Sequence, residues 1–358
     1  MNLRHPPRVA TCAGLALGFG SLAGCFGSSS SPPAAAVDGG GIEAAAPLVE
    51  AGPLDATSQE APEASGIEAS VDAPSSSAPP PFDGGPGCVA LTPQTTLAPA
   101  IEGVPASGLL LWLRADQGVY AAPTEAGAPS ADAASRPQVC AWADVSGNGW
   151  VLQNQTGAQP TWSPGALGGQ PAIEFASTTA MLQTAGVLGI GATSPRTFIA
   201  VEALVNAGGR FDPIAQGQTG SVGTYITIDA NPYGTAGNLE GVYMTSNAFD
   251  TNTATMASAA RIHVYTVSAM TVGTPIVGSV DYRINGVTQT LTLLSGGSDG
   301  TFEDFSGANF TAVGASYTST TGVGPDAFVA EVLVYDRALS VDERVSVEDA
   351  LESRYGIQ

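Results

Sequence analysis

Apolar and polar residues alternate most regularly near the end of the chain. From Phe328 to Tyr335, Phe328, Ala330, Val332 and Val334 form one set and Glu331 belongs to the other. A period of two predicts a strand. The period then lengthens, and Val347, Ala350, Leu351 and Tyr355 share one helical face. Ser340 stands where an N-cap belongs, with Glu343 three residues on, so the pair forms a capping box. Asp342 and Glu343 suit the positive end of the helix dipole and Arg354 the negative end. Gly356 supplies a left-handed stop. A helix of about four turns is marginal alone, so it is expected to lie against the sheet that the strand joins.

Upstream, Leu109–Arg114 reads as a buried strand, with Trp112 a core residue. Further strand-like runs are Ala172–Phe175, Thr197–Val205, Thr224–Asp229, Arg261–Thr271, Ile276–Ile284, Val287–Leu294 and Phe310–Ala315. Gly, Pro, Asn and Asp separate them at short intervals, the spacing of a sandwich or barrel. Asn285-Gly286 between two such runs signals a two-residue hairpin. The expectation is an all-β domain of about a dozen strands and one terminal helix.

Before Cys88 the texture is different. Arg4 and Arg8 precede an apolar run from Val9 to Phe19 and then Ser21-Leu22-Ala23-Gly24-Cys25. A short positive region, a short apolar core and small residues describe a secretory signal over residues 1–25. Leu22-Ala23-Gly24-Cys25 resembles the lipobox of bacterial lipoproteins. That resemblance implies cleavage before Cys25, acylation of Cys25 and anchoring in a membrane, since several acyl chains hold stably; the alternative is an ordinary signal with an incidental cysteine. Phe26 follows the cysteine where Asp would otherwise stand, which by analogy points to the outer membrane. Residues 26–87 hold nine acidic residues, no basic one, and abundant Ser, Ala, Pro and Gly. They read as a disordered tether about 45 Å end to end. Residues 88–358 form the domain.

The whole chain carries 32 acidic and 11 basic residues, for a net charge of −21. Every basic residue is an arginine. Such a surface repels phosphate backbones, so no nucleic-acid partner is expected. Once Cys12 is removed with the signal and Cys25 is acylated, Cys88 and Cys140 remain. In an exported domain these favour a disulfide, with two free buried thiols as the alternative.

Five blocks then stand in order: Leu111–Val119, Cys140–Trp150, Gln159–Phe175, Tyr282–Val287 and Ala330–Gly356. Together they resemble the LamG-like jelly-roll domains of the concanavalin A-like lectin and glucanase superfamily. The resemblance implies a two-sheet antiparallel jelly-roll sandwich. It leaves function open, because that fold hosts lectins, glycosidases, lyases and adhesion modules.

Enzyme readings find little support in the residues. His263 is the one histidine after the signal and sits within a strand pattern, so it reads as structural. Gly296–Gly300 matches G-x-S-x-G, but no histidine follows it, so it reads as a turn. No strand carries a Glu-x-Asp-x-Glu pattern, and Glu303 and Asp304 are adjacent and would face opposite ways. Asp144 and Asn148 lie on a Gly-rich turn, and oxygens of this kind suit calcium. By analogy with the superfamily, Glu331 and Asp116 join Asp144 as candidates for a structural calcium. The other reading has Asp144 and Asn148 bonding their own turn. For glycan stacking the available rings are Trp150, Trp162, Tyr225, Tyr233 and Tyr243, each also a candidate for ordinary packing, Trp162 most of all. The expectation is a membrane-anchored lipoprotein, not an enzyme, whose domain binds a glycan or a protein of the envelope or outside it. The alternatives are a glycan-cleaving enzyme of the superfamily and a structural envelope module.

Overall fold

The computed structural model describes residues 87–93, 103–123, 136–154, 158–176, 180–205, 211–218, 225–230, 239–245, 247–255, 259–296, 300–314 and 326–358. All belong to one unit, Asp72–Gln358. The signal, Cys25, the tether up to residue 86, and Tyr233 lie outside the described residues.

Among the described residues the chain forms nineteen strands and one helix. The first are β1 (Val89–Ala90), β2 (Leu109–Arg114), β3 (Val119–Ala121), β4 (Val139–Ala143), β5 (Val151–Asn154) and β6 (Thr161–Leu167). Next come β7 (Gln170–Phe175), β8 (Met181–Ala185), β9 (Arg196–Leu204), β10 (Phe211–Gly217), β11 (Tyr225–Ala230) and β12 (Leu239–Thr245). Then follow β13 (Asn247–Thr255), β14 (Arg261–Val267), β15 (Val280–Ile284), β16 (Val287–Thr288), β17 (Thr292–Gly296), β18 (Phe310–Gly314) and β19 (Ala327–Tyr335). Helix α1 spans Val341–Tyr355.

The strands make two antiparallel sheets. The larger has the order β1-β3-β4-β5-β8-β18-β10-β11-β12-β13-β17. The smaller runs β16-β15-β14-β9-β19-β7-β6, with β2 also on β19. Between them lies the main core, to which Trp142, Leu182, Ile214 and Val313 contribute from the larger sheet and Phe198, Tyr265 and Val332 from the smaller. A second core joins the other face of the smaller sheet to α1, where Val347, Leu351 and Tyr355 meet Ile199, Val201 and Val264. The architecture is the all-β sandwich with one C-terminal helix that the pattern predicts.

The helix ends match their local signals. Ser340 and Glu343 cap each other, and Gly356 sits at φ 64° with its N–H donating to the Glu352 carbonyl. The buried face differs by three residues from the expected one: Arg344 and Glu348 join Val347, Leu351 and Tyr355, while Ala350 is only half-buried. Both are paired across to the smaller sheet, Arg344 with Asp281 at 2.9 Å and Glu348 with Arg283 at 2.9 Å. Charge inside a contact is tolerated when its partner is built in. The helix end also passes so close to Gly168, at φ 56°, that a Cβ there would strike the Tyr355 carbonyl.

Three expectations need correction. The alternation in β19 does not run straight through, because a bulge falls between Val329 and Glu331. Phe328 and Ala330 therefore face the helix, while Val332 and Val334 face the main core. Glu331 turns to the helix side as well, an effect expected of an inserted residue. Ile276–Ile284 is a strand only from Val280, since Pro275 and Gly278 break the run. Val287–Leu294 splits into β16 and β17, which belong to different sheets, and the half-buried Leu291 packs on the main core as the chain crosses. The hairpin forms as predicted, with Asn285 at φ 46° and Gly286 at φ 73°. Among the described residues no helix is long and apolar enough to cross a membrane.

Candidate functional site

Residues paired across neighbouring strands share a face, so register tells which side chains meet. On the larger sheet one row of Cα partners runs Tyr120, Ala141, Gln153, Gln183, Ala312, Ala215 and Thr227. The backbone register continues through Tyr243, Ala248 and Ser295. Ala312 packs with Met181 and Phe310 in a cluster apart from the main core, so the described part of this row faces away from the smaller sheet.

The row is uneven in exposure. At one end Tyr120 and Ala141 are buried, packed with Cys88, Cys140 and Val151. Cys88 and Cys140 are joined by a disulfide, which ties the residue before β1 to β4, on the far side of β3. Closing a loop across a separation of 52 residues contributes about 4 kcal/mol by chain entropy. Farther along, Ala312, Ala215 and Thr227 are buried, and Thr227 Oγ1 donates to the Ile214 carbonyl at 2.8 Å. Between these closed stretches Gln153 is exposed and Gln183 half-buried, side by side on β5 and β8. Val151, half-buried, and Ala185, exposed, lie two residues along from them on the same strands. Each amide offers both donors and an acceptor over a floor of small apolar groups.

Among the ring candidates only the side chains of Trp150 and Trp162 are described, and neither joins this patch. Trp150 is half-buried, packs on the main core, and its carbonyl accepts the Asp144 N–H at 2.8 Å. Tyr225 opens β11 opposite Thr245, and Tyr243 lies opposite Thr227; their side chains fall outside the described residues. Gln153 and Gln183 were not among the expected site residues. Their strands are short, and only the inward Leu152 and Leu182 beside them hint at alternation.

Asp144, Asp116 and Glu331 do gather, but around Trp112 and on the helix side. Asp144 accepts from the Trp112 and Ser146 backbone N–H groups at 2.8 and 2.9 Å. It also accepts from Ser146 Oγ at 2.7 Å and Asn148 N–H at 3.1 Å. Asn148 Nδ2 in turn donates to the Leu109 carbonyl at 2.9 Å, tying the turn to β2. Burial outweighs these bonds and raises the Asp144 pKa. Glu331 is fully buried and accepts from Trp112 Nε1 at 2.6 Å and the Tyr355 hydroxyl at 2.8 Å. Its pKa is raised by burial, opposed by Arg354 and those two donors. Asp116 accepts from Arg114 at 3.0 and 3.1 Å and from Arg354 at 2.8 Å.

All six carboxylate oxygens thus face N–H or O–H donors. For Asp144 and Asn148 these are the bonds of the turn reading, and calcium, the other reading, finds each oxygen of this set already facing a donor hydrogen of like sign. Among the described residues no three His, Cys, Asp or Glu side chains are grouped to hold a metal. The cluster fastens Tyr355 and Arg354 of α1 to β2 and β19.

His263 is buried, with Nε2 3.0 Å from Glu202 Oε1 and Nδ1 2.8 Å from the Tyr282 hydroxyl. Its Cα partners Ala200 and Ile284 belong to the main core, so no open cleft reaches it. Asp304 bonds the Ser306 N–H and hydroxyl within a turn. Ser298 lies outside the described residues.

No family model matches the chain, and no curated protein matches it. Among solved structures, a Trypanosoma rangeli sialidase in complex with 2,3-difluorosialic acid is 14% identical with a TM-score of 0.44, covering 68% of this chain and 33% of that one. A GH54 α-L-arabinofuranosidase soaked with a cyclic sulfate inhibitor is 15% identical with a TM-score of 0.42, over 70% of this chain and 60% of that one. The binding domain of botulinum neurotoxin serotype G is 9% identical with a TM-score of 0.38, over 68% and 51%. The chain spans less than two thirds of each. Likeness at this level carries no argument about what the chain does.

Proposed function

We propose that the chain is an exported lipoprotein, held to the envelope through Cys25, whose LamG-like sandwich binds a glycan on the outer face of its larger sheet without cleaving it. The observation that carries this reading is the adjacent Gln153–Gln183 pair, exposed and half-buried between the buried Ala141 and Ala312 of the neighbouring strands. Sugar hydroxyls both donate and accept, and a primary amide does the same. A pair of amides can hold such a ligand, and neither can act as an acid, a base or a nucleophile at neutral pH. Leu22-Ala23-Gly24-Cys25 supports the anchor.

Affinity electrophoresis in gels containing polysaccharides tests the binding role. Retardation that weakens in Gln153→Ala and Gln183→Ala is expected; no retardation on any polymer counts against it. Reducing-end assays on the retained polymers are expected to stay at background, and release of sugar would replace binding by cleavage. Palmitate labelling of the expressed chain is expected to vanish in Cys25→Ser.

A further inference from the structure

We infer that the glycan taken by this face is uncharged, an inference that rests on the binding role proposed for Gln153 and Gln183. The eleven strands of the larger sheet contain no arginine, lysine or histidine. Their only ionisable groups besides tyrosine and cysteine are Asp212, Asp229, Glu240 and Asp250, all acidic. Proteins meet sugar carboxylates and sulfates with guanidinium forks or ammonium groups, which neutralise the charge as water is stripped away. An anionic sugar on this sheet would lose hydration with no cation in return. The net charge of −21 adds long-range repulsion.

Among the described residues the ion-paired arginines lie elsewhere. Buried Arg196 of β9 donates to Gln216 of β10 in the interior, and Arg261 opens β14 of the smaller sheet; Arg210, just before β10, lies outside the described residues. Arg114 and Arg354 hold Asp116, Arg283 holds Glu348, Arg344 holds Asp281 and Arg337 holds Glu343, all on the smaller sheet, the helix or the loop between them. Arg136, three residues before β4, is paired with Glu174 of β7.

A cationic amino sugar fits poorly for a different reason. In the strand order β10 lies two places from β8 and β11 lies three. At the usual strand spacing Asp212 and Asp229 are therefore roughly 10 and 14 Å from Gln183 across the sheet. A sugar ring seated on the amides is about 5 Å across and leaves those carboxylates out of reach. Asp212 is buried besides. Among the described residues beside the amides on this face, Val151 and Ala185 are the ones with exposed surface, and they meet C–H faces of a neutral ring.

The full chain is tested by affinity electrophoresis against a neutral β-glucan, polygalacturonate and chitosan, each at low and high salt. Retention on the neutral polymer, unchanged by salt, is expected, with a loss of about two- to tenfold for each Gln→Ala change. Retention confined to polygalacturonate or chitosan, or lost as salt rises, overturns the ligand class while leaving the site intact. Neutral-polymer binding that both glutamine variants keep, with unchanged melting temperatures, overturns the site. Retention by none of the three overturns both.

Discussion

The outer face of the smaller sheet and that of the larger sheet differ in what they carry and in what covers them. On the smaller sheet, Ile199, Val201 and Val264 are apolar and lie beneath α1, and the arginines beside them are tied to carboxylates. On the larger sheet, the open stretch at β5 and β8 carries uncharged amides among small residues. On the first face the charges of Arg283, Arg344 and Arg354 are met by carboxylates of the same chain. The amides on the second are left to water, or to a ligand. The contrast separates residues that fold the protein from residues free to recognise something.

The contrast can be broken first at Glu331. Glu331→Ala leaves Trp112 Nε1, the Tyr355 hydroxyl and Arg354 without their shared acceptor, and is expected to cost about 3–5 kcal/mol in urea unfolding. Leu351→Ala opens a cavity under the helix and is expected to cost about 3 kcal/mol by the same measurement. Ser340→Ala removes the cap and is expected to cost about 1 kcal/mol. On the other face, Gln153→Ala and Gln183→Ala are expected to change stability by less than about 0.5 kcal/mol. A loss as large as that of Leu351→Ala would make those amides structural and erase the distinction.

Acid sharpens it further. Glu343 is held down to about 2, chiefly by Arg337, from an ordinary value of 4.5. A depressed acid contributes stability that is complete above its unfolded value and fades as pH falls through the folded one. Melting temperature in Glu343→Gln is therefore expected to lie below that of the parent at neutral pH and to converge with it near pH 2. A constant gap down to that pH would contradict the pairing.

Much of the fold was legible because its signals are local. Leu109–Arg114 matches β2 end to end, and both caps of α1 follow from Ser340, Glu343 and Gly356. Strands such as β4 and β10 were missed because Ala, Gly and Pro dilute their alternation. The site was hidden for another reason. Gln153 and Gln183 become neighbours only through register between strands separated by other elements, and no local pattern encodes that pairing. Asp144, Asp116 and Glu331 are brought into one network. Of this, the bonding of Asp144 by Ser146 and Asn148 in its own turn was legible as one of two readings, and the remainder was not. Their donors, Trp112 and Arg354, come from β2 and from the last turn of α1, which proximity in sequence does not disclose.

The most direct test follows one reporter on each face by NMR while a neutral β-glucan is titrated into the chain. The side-chain amide resonances of Gln153 and Gln183, assigned by their alanine variants, are predicted to shift in a saturable way while the Trp112 indole N–H stays fixed. Shifts at Trp112 with unmoved glutamine amides would contradict the account.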